Sequence, residues 1–111
     1  MDRRWLAIVG VLLAVASCLG RASVTIRNES GVEVQDVRLE GRCFAEALGL
    51  LGPGASKSVR VKPCGESGIR AKFAAGQTTH ETPEVGYIEA SSSYSATLVI
   101  GSDFSVRASA R

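Results

Sequence analysis

Tyr94-Ser95-Ala96-Thr97-Leu98-Val99-Ile100-Gly101-Ser102-Asp103-Phe104-Ser105-Val106 is the stretch on which the fold class turns. Tyr94, Ala96, Leu98 and Ile100 occupy every second position, the period of a strand with one buried face, and Val99 alone breaks it. Gly101-Ser102-Asp103 then reads as a turn into Phe104 and Val106, so the stretch predicts a β-hairpin.

The same period recurs upstream. Val24 and Ile26 alternate with Thr25 and Arg27 before the turn residues Asn28-Glu29-Ser30-Gly31. Val32 and Val34 hold one phase and Val37 and Leu39 the other, which predicts a bulge near Gln35-Asp36 or a new strand starting there. Val59 and Val61 alternate with Arg60 and Lys62, and Ile69, Ala71 and Phe73 with Arg70 and Lys72. Only Cys43 to Leu51 reads otherwise. Phe44 to Leu48 suggest one helical turn before Gly49, and Leu50-Leu51-Gly52-Pro53-Gly54 breaks anything regular. Roughly seven to nine short strands and no helix of core-building length predict an all-β chain, a small antiparallel β-sandwich with one disulfide. Immunoglobulin-like and transthyretin-like topologies both fit. The Cys…Trp…Cys core of antibody domains is absent, because the only tryptophan is Trp5.

Trp5 belongs to a different kind of segment. Arg3 and Arg4 precede an apolar run from Trp5 to Ala16, and Val15-Ala16-Ser17-Cys18 closes it, in the order of a secretory signal peptide. The run is shorter than the roughly twenty apolar residues a bilayer span needs. Its last four residues resemble a bacterial lipobox: an aliphatic residue, two small ones and the cysteine that receives lipid. The resemblance implies a bacterial lipoprotein precursor, with residues 1–17 a signal peptide, 18–22 a lipidated Cys18 and short tether, and 23–111 the β-sandwich domain. It implies a place in the cell envelope, and Leu19 after the cysteine resembles the signal for transfer to the outer membrane, facing the periplasm. Gly20-Arg21-Ala22 offers the alternative, cleavage after Ala22 and a soluble periplasmic or secreted product. In size, leader and anchor the chain also resembles the membrane lysozyme inhibitors, although their Ser-Gly-x-x-Tyr loop is not reproduced and Ser91-Ser92-Ser93-Tyr94 is the nearest stretch.

Three of the thirteen basic residues (Arg3, Arg4, Arg21) and one of the eleven acidic ones (Asp2) lie before Ser23, leaving ten of each in the exported part. A neutral domain lacks the basic footprint that phosphate-backbone binding needs, so nucleic acid is not expected as a partner. Beyond Cys18 the cysteines are Cys43 and Cys64. An even pair in a small exported domain reads as a disulfide, with two free buried thiols as the alternative. Closing a loop of roughly twenty residues constrains the unfolded chain by about 3 kcal/mol.

Candidate chemistry is sparse. His80 with Glu81 and Glu84 is the one grouping that could hold a metal or move a proton; on an edge strand or loop it would do neither. Gly65-Glu66-Ser67-Gly68 lacks the Gly-x-Ser-x-Gly spacing of a nucleophile elbow and reads as a hairpin turn. Leu51-Gly52-Pro53-Gly54-Ala55-Ser56 lacks the lysine of a phosphate loop. Asn28-Glu29-Ser30 fits both a turn and a glycosylation acceptor. Gly86-Tyr87-Ile88-Glu89, with Tyr94 close behind, is either a recognition patch or core filler with its hydroxyls at the rim. The expectation is a non-enzymatic envelope lipoprotein without cofactor, acting as a structural or protein-interaction module on an envelope protein and held to the membrane by its lipid. Inhibition of a hydrolase such as lysozyme or a protease is the alternative, and a metal or small-ligand carrier resting on His80 a third.

Overall fold

The computed structural model describes residues 21–91 and 93–109. The expected signal peptide (residues 1–17) and the expected lipidation site Cys18 lie outside the described residues. Nine strands run in order: β1 (Ala22–Asn28), β2 (Val34–Gly41), β3 (Phe44–Leu51), β4 (Ser56–Val61), β5 (Ser67–Ala75), β6 (Thr78–Glu81), β7 (Val85–Ile88), β8 (Ser95–Ile100) and β9 (Val106–Ala108). They form a four-stranded sheet, β4-β1-β8-β9, and a five-stranded sheet, β3-β2-β5-β6, in which β7 also pairs with β5. The chain is an all-β sandwich-like fold with one disulfide, as its period-two pattern predicts.

The core is the set of alternate positions that both sheets turn inward. Val24, Ile26, Leu98 and Ile100 come from the four-stranded sheet, and Val37, Leu39, Ile69, Ala71 and Phe73 from the other; all are buried. Of the two readings of the phase change at Gln35-Asp36, a bulge and a new strand, the structure has the bulge, inside β2. Both ladders of β2 skip there, and Asp36 has φ 52°, so Val34 and Val37 both reach the core despite their odd spacing. Val32 lies outside β2 and is exposed, so it does not share the phase of Val34.

Two sequence-based expectations are corrected and one is refined. Phe44 to Leu48 form no helical turn: they are the first part of β3, paired antiparallel with β2 through a hairpin whose turn contains Cys43 at φ 68°. Local helix preference yields there to the ladder with β2. Ser67 and Gly68 are the first residues of β5 rather than a turn. The antiparallel expectation holds for every ladder but one, since β1 and β8 run parallel, Ser23 beside Ser95 through Asn28 beside Ile100.

The β5 edge shows how a proline shapes pairing. β6 pairs with the C-terminal half of β5 and β7 with the N-terminal half. Pro83 between them has no N–H to donate. Thr82 holds the junction, donating its N–H to the Ala71 carbonyl at 3.0 Å while its Oγ1 accepts the Ala71 N–H at 3.0 Å.

Candidate interaction site at the disulfide pole

Ala22 stands opposite Val61, Ser23 beside Ser95, Gly41 opposite Phe44 and Ser67 opposite Ile88. These pairs put one end of every strand from β1 to β5, together with β7 and β8, at a single pole of the sandwich. Cys43 in the β2–β3 turn and Cys64 beyond β4 are bonded there with their Cα atoms 5.5 Å apart, and the Cys64 N–H donates to the Arg42 carbonyl at 3.2 Å. The expected bridge exists, and it ties the ends of two strands in different sheets.

Beside it lies a shallow cleft of about 380 Å³, lined among others by Arg42, Glu66, Arg70 and Glu84. Its floor is glycine because side chains fold across it. A Cβ on Gly41 would run into the Phe44 ring, and one on Gly68 would stand 2.9 Å from the Glu84 Cβ. Ser67 is buried, and its hydroxyl proton is committed, donating to the Gly68 carbonyl at 2.6 Å while the oxygen accepts the Arg42 N–H at 2.9 Å. A hydroxyl so engaged, with no histidine beside it, is not an activated nucleophile.

The structure brings Tyr87, Glu89 and Tyr94 together at this pole. The two rings meet edge to face, with centroids 5.6 Å apart at 60°, and the Tyr87 hydroxyl donates to Glu89 Oε1 at 2.6 Å. That hydrogen bond, with partial burial and the negative charge of Glu66 and Glu89, pushes the Tyr87 hydroxyl well above its ordinary value. Hydrogen bonding to Glu89 and its charge also raise Tyr94. Tyr87 is 46% exposed, whereas Tyr94 packs partly against the core. One ring is therefore open to solvent and the other partly covered by the core.

His80, Glu81 and Glu84 are not brought together. His80 stands opposite Phe73 across the β5–β6 ladder, and its ring stacks on Phe73 at 5.2 Å and on Phe104 at 4.8 Å. Glu81 pairs opposite Lys72, and Glu84 lies beyond Pro83 over Gly68. Among the described residues no three His, Cys, Asp or Glu side chains are grouped to hold a metal ion.

Sequence reasoning undervalued Asn28. It is fully buried, its Nδ2 lies 2.7, 3.0 and 3.2 Å from the carbonyls of Val32, Leu51 and Gly52, and its Oδ1 accepts from the Ser30 N–H and hydroxyl. An amide so enclosed is a structural pin, not an accessible sugar acceptor. The short spacing to Ser30 and Gly31 is the signal that pointed to its turn, but its long-range partners on β3 leave no trace in the sequence.

No protein-family model matches the chain, and no curated protein matches it. Among solved structures the chain is similar to one described as "NMR structure of the protein from Eubacterium rectale", with a TM-score of 0.54 at 9% identity over 81% of this chain and 87% of that one, a likeness of fold alone.

Proposed function

We propose that the chain is a non-enzymatic interaction module of the bacterial cell envelope, tethered through a lipidated Cys18, and that an envelope protein docks on Tyr87, Glu89 and Tyr94. One observation carries the docking surface: an exposed tyrosine held by a second ring and by a carboxylate on a disulfide-braced pole. Tyrosine offers large amphipathic contact area with few rotatable bonds. Fixing it before binding reduces the ordering cost of association. The tether adds a constraint on the partner. Leu19 to Arg21 precede β1 and span at most about 10 Å, and β1 starts at this same pole, so the partner is one that presents its surface close to the lipid headgroups.

Two measurements test the reading. Intact mass of the membrane fraction is expected to give a lipidated N-terminal cysteine at position 18; a soluble product starting at Ser23 as the main form sinks the anchor. Cross-linking of an envelope protein through a photoreactive group at the exposed position 93, beside Tyr94, is expected to be lost on Tyr87→Ala with the fold retained. Unchanged cross-linking in that variant sinks the docking surface. Lysozyme assayed with the purified protein is expected to keep its full rate, and inhibition at stoichiometric ratio would replace this reading with the hydrolase inhibitor.

A further inference from the structure

Charge is segregated between the two sheets, although the exported part of the chain is neutral. The strands of the four-stranded sheet carry Arg27, Lys57, Arg60 and Arg107 and contain no Asp or Glu. Those of the five-stranded sheet carry four carboxylates against three cations. Because the cations and acids are interleaved along the chain, the separation exists only after folding.

The pairing register gives the outer face of the four-stranded sheet. Val24 and Ile26 turn into the core, so Ser23, Thr25 and Arg27 turn outward. Thr25 stands between Ser58 and Thr97, Ser23 between Arg60 and Ser95, and Arg27 between Ser56 and Val99, which pairs on to Arg107. The face is a grid of short hydroxyl side chains with an arginine at either end, its columns about 4.8 Å and its rows about 7 Å apart. Thr25 Oγ1 and Ser58 Oγ lie 2.7 Å from each other. Val99 explains the broken period. It points outward yet is 2% exposed, because Arg27 and Arg107 flank it and both reach Glu29 at 3.6 Å, which lays their stems alongside it. One carboxylate thus serves two guanidiniums, and among the described residues Arg60 has no ion pair.

We propose that this face binds an extended acidic polysaccharide, its carboxylates taken by the arginines and its hydroxyls by the serine and threonine rows. Guanidinium groups match carboxylates two bonds at a time, and short hydroxyls both donate and accept along a flat surface. Other occupants fit less well. Electrostatic capture of a bilayer calls for clusters of about four to eight basic residues, whereas the outward rows of these strands carry three, Arg27, Arg60 and Arg107, two of them already tied to Glu29. Single-stranded nucleic acid needs aromatic stacking platforms, and a protein interface centres on aromatic anchors; the face has no aromatic residue.

The test measures binding of the purified protein to alginate, a uronic-acid polymer, with neutral dextran, polyglutamate and anionic phosphatidylglycerol vesicles in parallel. Alginate is expected to bind in a salt-sensitive manner and the other three weakly or not at all. Arg60→Gln and Arg107→Gln are each expected to weaken it about threefold and together about tenfold. Thr97→Val should weaken it with the salt dependence kept, and Lys72→Gln on the other sheet should leave it unchanged. Arg60 makes no ion pair among the described residues, so Arg60→Gln decides if the Arg107 variant unfolds. Failure to bind alginate overturns the proposal. So does equal binding of dextran, polyglutamate or vesicles, or an equal loss in Lys72→Gln. None of these readouts involves Tyr87 or Cys18, so the result stands apart from the docking and anchoring proposed above.

Discussion

Asn28 and Tyr87 are both polar residues in contact with carbonyl or carboxylate oxygens, and they do opposite things to the fold. Asn28 is enclosed, and five hydrogen-bonding contacts converge on its amide from the β1 end, its own turn and the β3 end. Replacing it with alanine strands buried partners, so Asn28→Ala is expected to lower stability by about 3 kcal/mol, read from urea unfolding at unchanged m-value. Asn28→Asp should do no better, because a carboxylate cannot donate to the three carbonyls. Tyr87 is half exposed, and its contribution depends on pH rather than on burial. Its folded hydroxyl titrates above the ordinary 10.0, so the stability from its bond to Glu89 is fully present below pH 10 and lost as pH rises through the folded value. The Tm difference between wild type and Tyr87→Phe is therefore expected to stay constant from pH 6 to 9 and to shrink above 10. A difference that grows with alkaline pH would contradict the assigned bond.

At the scale of elements, the hairpins and edges carry most of the design. In the β8–β9 hairpin, Asp103 Oδ1 accepts the Ser105 N–H at 3.0 Å and its hydroxyl at 2.6 Å, and these bonds hold the carboxyl below its ordinary 3.8. That stability is present above pH 3.8 and lost as pH falls through the depressed folded value, so Asp103→Asn should differ from wild type at pH 6 and the difference should shrink as pH falls below 3.8 in thermal unfolding. The β2–β3 hairpin needs glycine at position 41 for lack of room. Gly41→Ala places a methyl group in the Phe44 ring and 2.8 Å from Ser67 Oγ, and is expected to cost about 2 kcal/mol. Free edges are guarded by different means: a short β9, Pro83 between β6 and β7, and for β3 a bulge at Gly49 with Lys57 Nζ donating to the Leu48 carbonyl at 2.8 Å. The sequence announced the hairpin turns and the bulge at Asp36 because each is a local break in a two-residue period. It concealed β3, whose Phe44-Ala45-Glu46-Ala47-Leu48 has no strand alternation strong enough to outweigh its helix formers; β2 makes it a strand by pairing with it.

Across the whole molecule the two poles are held differently, one by the Cys43–Cys64 bridge and the other by Asn28 and the Phe73–His80–Phe104 stack. Reducing the disulfide is expected to lower stability by about 3 kcal/mol. Hydrogen exchange should rise first at Arg42, Cys64 and Glu66, with the Asn28 pole keeping its protection; uniform loss would mean that the bridge braces the whole sandwich. The sequence by itself determined the all-β class, most strand positions, the bulge and the cysteine pair. Each of these is written in residues close together, or in the even pair of cysteines that follows the leader-like segment. Only the tertiary structure decided the parallel pairing of β1 with β8, the partners of Asn28, the stacking of His80 away from Glu81 and Glu84, and the assembly of one sheet from strands without a carboxylate. A period of two says which residues share a face but not which strand lies beside which. That choice is made when two faces are buried together and the register between distant segments is fixed by the fit of their side chains.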